Sequence, residues 1–173
     1  MAELIKDPDE IRRLAESRRD ENFDFRAFLK GRLNWSDERL DRLVHEIVKS
    51  VTAEIDCKEC AHCCRVMGTG VDAEDIERIA RRLGMSSEEF REKYVVRGEW
   101  GEDIIDQKPC PFLDGNMCSI WEDCPKDCRE YPHLHLEDVR SRSLSFLGNA
   151  EVCPIAFNTL ELLKARFRRS YWA

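Results

Sequence analysis

Cys57-Lys58-Glu59-Cys60-Ala61-His62-Cys63-Cys64 decides the reading of this chain. Four of the nine cysteines fall in this stretch, spaced C-x2-C-x2-C-C, and Cys110, Cys118, Cys124, Cys128 and Cys153 follow. A thiolate is a strong, soft ligand for zinc, copper(I) or iron–sulfur clusters. Two residues between cysteines let one turn of chain aim both sulfurs at one metal centre. The doublet Cys63-Cys64 adds a constraint. Neighbouring side chains diverge by about 180° in extended chain and roughly 100° in a helix. One metal could hold both sulfurs only with local strain, so two adjacent centres or one polynuclear centre fit better. Disulfides, or buried thiols acting as small hydrophobes, are the competing explanations, and single structural cysteines rarely bunch in this way.

Upstream, the spacing predicts helices. Ser36 caps a helix over 36–55, with Asp37 and Glu38 in the favourable first turn. In it Leu40, Leu43, Val44, Ile47, Val48, Val51 and Ile55 recur at i, i+3, i+4, i+7. This helix delivers the chain into Cys57. Residues 7–34 read as helix broken once, with Asp7-Pro8-Asp9-Glu10 as the start and Asn22 or Asp24 as the second cap. The pairs Arg12-Arg13 and Arg18-Arg19 read as solvated faces matched to nearby acids.

Downstream, Gly68 and Gly70 read as glycines that allow a tight exit from the cluster, since no G-x-G-x-x-G is present. Asp72 caps a helix carrying Ile76, Ile79, Ala80 and Leu83, which Gly84 stops. Ser86-Ser87-Glu88-Glu89 is a capping box for another short helix. Residues 95–108 show no period and read as a surface loop. Asp114-Gly115-Asn116 is a turn signal whose hairpin would bring Cys110 and Cys118 together. Cys124-x3-Cys128 spans one helical turn, which would put both sulfurs on one face. Cys110, Cys124 and Cys153 each precede a proline, which stiffens the ligand loop. His133 and His135 alternate with Leu134 and Leu136, as in a short half-exposed strand. Residues 138–149 lean to helix with Asp138 as cap. A last helix starts at Pro154, its stripe formed by Ala156, Leu160, Leu163 and Phe167, with Lys164, Arg166, Arg168 and Arg169 suited to its C-terminal end.

Composition narrows the class. The chain has 173 residues, 42% of them hydrophobic and 36% charged, with a net charge of −7. These values fit a soluble globular protein, and the charge argues against nucleic acid as a partner. No basic-then-apolar leader opens the sequence and no 18-residue apolar run follows, so the expectation is a cytoplasmic protein without a membrane partner. Thiols stay reduced in that compartment, and an odd cysteine count suits metal better than a closed disulfide framework.

These residues together resemble the YkgJ-type cysteine-cluster family. The resemblance covers roughly residues 55–165. It rests on C-x2-C-x2-C-C, Cys110-Pro-Phe-Leu, Cys118-x-Ile-Trp-Glu, Cys128-Arg-Glu-Tyr-Pro and Cys153-Pro. It implies a zinc- or iron-chelating domain, and the family includes flagellin lysine N-methylase-like proteins. Carried over by position, the implied metal ligands are Cys57, Cys60, Cys63, Cys64, Cys110, Cys118, Cys128 and Cys153. Cys124 stands where the family more often has arginine before proline, so the resemblance leaves it an extra thiol. Eight ligands would fill two four-thiolate sites or one polynuclear site. One partition groups Cys57, Cys60 and Cys63 with one distal cysteine, and Cys64 with the other three. No glycine-rich strand–loop–helix for a methyl donor is visible.

The expected fold is mainly α: a single helical domain with short hairpins and irregular segments around a cysteine-ligated metal cluster. An N-terminal helical arm, 1–54, would pack on a cysteine-cluster metal-binding domain, 55–173. The favoured function is holding an iron–sulfur cluster or iron, with a redox or enzymatic role open. The alternative is a zinc-stabilised module with four-cysteine sites, no catalysis and a protein partner. No nucleophile elbow, H-E-x-x-H or P-loop is present, and no catalytic residue is assigned.

Overall fold

The computed structural model describes residues 3–171, except the side chains of Arg169 and Ser170, so the sequence reading of Arg169 lies outside the described residues. In chain order the helices are α1 (Pro8–Ser17), α2 (Arg19–Gly31), α3 (Asp37–Thr52), α4 (Cys57–Cys60), α5 (His62–Val66), α6 (Ala73–Leu83), α7 (Ser87–Tyr94), α8 (Lys126–Glu130), α9 (Ser143–Ala150) and α10 (Pro154–Tyr171). Between them lie the two- and three-residue strands β1 (Thr69–Gly70), β2 (Val96–Arg97), β3 (Asp103–Ile105), β4 (Leu113–Asp114) and β5 (Met117–Cys118). The protein is mainly α, as its sequence predicts. No helix among the described residues is long and apolar enough to cross a membrane.

The chain divides into two compact units. One joins residues up to Asp56 with those from Pro132 onward; the other is Cys57–Tyr131. The sequence reading grouped the last helix with the cysteines, whereas this division groups it with the N-terminal helices.

In the helical unit α10 is the centre, packed against α1, α2, α3 and α9. Its predicted stripe, Ala156, Leu160, Leu163 and Phe167, is buried throughout. Phe25, Phe28 and Trp35 gather on Phe167, with the Trp35 and Phe167 rings meeting edge-on at 5.0 Å, and Tyr171 packs on Phe25 at 5.4 Å. The break between the first two helices falls at Arg18, not at Asn22 or Asp24. Asn22 is instead a buried side chain inside α2 that accepts from Lys164 Nζ at 2.8 Å. Lys164 is buried too, and Glu161 at 2.7 Å and Glu21 at 3.0 Å balance its charge. Asn158 pins the N-terminal segment, accepting from the Ile5 N–H at 3.0 Å and donating to the Ile5 carbonyl at 2.7 Å.

Between His133 and Arg142 the expected strand and helix start are absent. The segment is a run of turns, with His133 and Asp138 at φ of 59° and 60°. Arg142 fixes it by donating to the carbonyls of His133 and Glu137, each at 2.8 Å. The buried Asp41 carboxylate fixes its far end, accepting from the N–H groups of Asp138 at 2.9 Å and Val139 at 3.0 Å.

In the cysteine unit the predicted caps form. Asp72 with Asp75, and Ser86 with Glu89, make reciprocal capping boxes, and Gly84 ends α6 at φ 70°. Residues 95–108 are not simply a loop: β1, β3 and β2 form a small antiparallel sheet in that order. Its strands are too short to show an alternation that sequence can reveal. The core is Val71, Ile76, Ile79, Ala80, Phe90, Ile105, Phe112 and Ile120, with Cys110 and Cys118 packed against it. Asp41→Ala would leave two amides, the one at Val139 buried, without an acceptor. It should cost about 1–3 kcal/mol, read by urea unfolding, and an unchanged midpoint would show that water replaces the carboxylate.

Candidate metal centre

The first cysteine stretch is two short helices joined at Ala61, whose φ of 48° turns the chain sharply. Cys63 and Cys64 both lie in α5, so their side chains point about 100° apart. The second stretch starts at Cys110, whose N–H donates to the Cys64 carbonyl at 2.7 Å. It then forms the predicted hairpin, with Leu113 opposite Cys118 and Asp114 opposite Met117. Gly115 takes the positive φ that the two-residue turn requires. Arg65 stitches the two stretches together. It donates to the Cys60 carbonyl at 3.3 Å, the Gly115 carbonyl at 2.8 Å and Asn116 Oδ1 at 2.5 Å. Asn116 in turn donates to the Glu59 carbonyl at 3.0 Å. Gly68 leaves the cluster against β3: a Cβ there would come within 2.6 Å of Asp106 Oδ1 and 3.0 Å of the Ile105 carbonyl. The tight exit read from the glycines is therefore needed at Gly68.

A cavity of about 320 Å³ lies between the stretches. Cys57, Cys63, Cys64, Cys110, Cys118, Cys124 and Cys128 line it, among apolar groups such as Met67, Phe112 and Trp121. Cys60 is not in the lining but interacts electrostatically with Cys57 and Cys64. Cys153 belongs to the helical unit, buried just before α10, its N–H bonded to the Asn149 carbonyl at 2.8 Å. Cys124 and Cys128 do not share a helical face. Cys124 follows the 3-10 turn Trp121–Asp123 in extended conformation, and only Cys128 is in α8. Pro125 intervenes, and the residue before a proline is driven away from helix. His133 is half-buried and His135 exposed, both in the helical unit.

Hydrogen bonds to sulfur organise the wall. The N–H of the residue two positions on meets the sulfur of Cys60 (from His62), Cys110 (from Phe112) and Cys118 (from Ile120). Such donors stabilise a thiolate. Burial nevertheless pushes all three thiols up, and pushes Cys128 up to about 12. Cys63 is raised most, chiefly by its hydrogen bonds to Cys57 and Cys64. The same bond draws Cys64 down to about 7, making it the readier thiolate of the pair. The Cys128 thiol donates to Thr69 Oγ1 at 3.1 Å. Once that sulfur ionises, the hydroxyl can turn to donate back.

Among the described residues, no three or more His, Cys, Asp or Glu side chains are closed to the spacing that holds a metal ion. Cys63 instead meets Cys57 and Cys64 through sulfur-to-sulfur hydrogen bonds. The donor set still fits a thiophilic metal in two respects: soft ligands gathered on one cavity, and N–H groups already placed to support negative sulfur.

The CxxCxxCC family model, described as "Putative zinc- or iron-chelating domain", matches residues 56–154. The chain belongs to that family. The matched span runs from the residue before Cys57 to the one after Cys153 and takes in all nine cysteines. No curated protein and no solved structure matches the chain.

Removing the Thr69 hydroxyl tests the wall directly. Thr69→Val should weaken metal binding roughly 10–100-fold, the usual effect of losing a partner of a ligand, and Thr69→Ser should restore it. Chelator competition reads both, and equal affinity in all three proteins would refute the role.

Proposed function

We propose that this chain holds a polynuclear iron–thiolate centre, an iron–sulfur cluster, in the cavity of its cysteine unit. The observation that supports this is the sharing of one cavity of about 320 Å³ by seven thiols from both cysteine stretches. A single ion with four sulfurs uses a compact knuckle. A larger shared volume suits several metal atoms bridged by sulfide, and accommodates the divergent Cys63 and Cys64 without strain. Apolar lining such as Met67, Ile105, Phe112 and Trp121 limits water, and N–H···S bonds help set the potential of such clusters. Bound iron–sulfur would supply one-electron chemistry. The protein's share is to fix the sulfurs through the Arg65 stitch, donate hydrogen bonds to them, and shield them from water.

A second reading has its own support. Cys110 and Cys118 pack directly on a small hydrophobic core, the arrangement in which zinc acts as a structural staple. In that case the chain is a zinc-stabilised module whose surface binds a protein partner, without catalysis.

Anaerobic purification, followed by an absorption spectrum and iron, zinc and sulfide analysis on one sample, separates the two. The expected result is broad visible absorption with iron and acid-labile sulfide. Colourless protein carrying about two zinc ions, the number that fills paired four-cysteine sites, would overturn the iron–sulfur reading in favour of the structural one.

A further inference from the structure

We infer that Cys124 is itself a metal ligand, a further thiol beside those that the first cysteine stretch and the hairpin bring to the same cavity. The inference rests on the metal reading above but not on which metal is bound. Eight of the nine cysteines lie in this unit, and Cys124 is one of them. It is 1% exposed, the most enclosed of them, and it lines the cavity with Cys118 and Cys128.

One contact sets Cys124 apart from a cysteine that merely fills space, and a main-chain clamp holds the loop that carries it. Burial pushes the Cys124 thiol up, and the Arg129 side chain lying against it opposes that by favouring the charged form; a guanidinium is a donor suited to a thiolate. Arg129 is held for this by donating to the Glu122 carbonyl at 2.9 Å. The main chain at Cys124 is clamped as well. Arg78 donates to the Cys124 carbonyl at 2.9 Å and pairs with the buried Asp75, whose carboxylate also accepts from the Lys126 N–H at 3.2 Å. The loop is thus gripped on both sides of the thiol. Metal would bind here by displacing the thiol proton to solvent, with Arg129 left as the donor to the bound sulfur.

Cobalt(II) binding to the full chain, with the metal-free protein reduced beforehand, provides the test. Cys124→Ser should reduce the thiolate-to-cobalt charge-transfer intensity per chain and weaken binding at least tenfold. Arg129→Gln should keep the intensity but shift the band, since the sulfur remains and its donor is lost. Circular dichroism of the metal-free proteins identifies a variant that fails to fold, in which case Arg129→Gln carries the test alone. Parent-like intensity and affinity in Cys124→Ser, or an unshifted band in folded Arg129→Gln, would overturn the assignment. Absence of any charge-transfer band in the parent would instead remove the metal reading and this inference with it.

Discussion

The amide of Cys110 donating to the carbonyl of Cys64 at 2.7 Å joins two stretches that are far apart in sequence. Arg65 reinforces the junction by holding the Cys60 and Gly115 carbonyls with one guanidinium. Every other feature of the cysteine wall depends on this seam. With it in place, the hairpin sets Cys118 opposite Leu113, and the first stretch can present Cys57, Cys63 and Cys64 to the same volume. These contacts are with main-chain carbonyls, so they fix the register of the backbone itself.

Burial works against that gathering. Desolvation pushes the Cys60, Cys110, Cys118 and Cys128 thiols up, away from the charged form. The N–H donors favour the opposite, ionised form. A wall with both properties is quiet as a set of thiols and ready to hold cations once protons leave. The helical unit solves a different problem by ordinary means: α10 buries an apolar stripe on four helices, and one buried lysine is satisfied by Asn22, Glu21 and Glu161.

Sequence was most informative where a local rule has a local cause. Ser36, Asp72 and Ser86 cap the helices they predict, Gly84 stops α6, and Gly115 turns the hairpin. It was least informative where distant residues decide. Asn22 looks like a cap but is claimed by Lys164. The residues of β2 and β3 carry too few alternations to register as strands. The Cys124-x3-Cys128 spacing suggests a helical turn, yet Pro125 forbids it. The thiols themselves were visible as a set. What was hidden was their division, with Cys153 in the helical unit and Cys124 on the cavity, because spacing records order along the chain and not which residues pack together.

The Asp75–Arg78 clamp touches the loop from Asp123 to Lys126 only through backbone atoms: the carbonyls of Asp123 and Cys124 and the amide of Lys126. Such a grip forms no hydrogen bond with the side chain it carries. The clamp would therefore keep its own bonds if position 124 carried another side chain small enough for the same buried space, and a protein with this clamp could acquire a thiol there in a single evolutionary step and keep its fold while its chemistry changed.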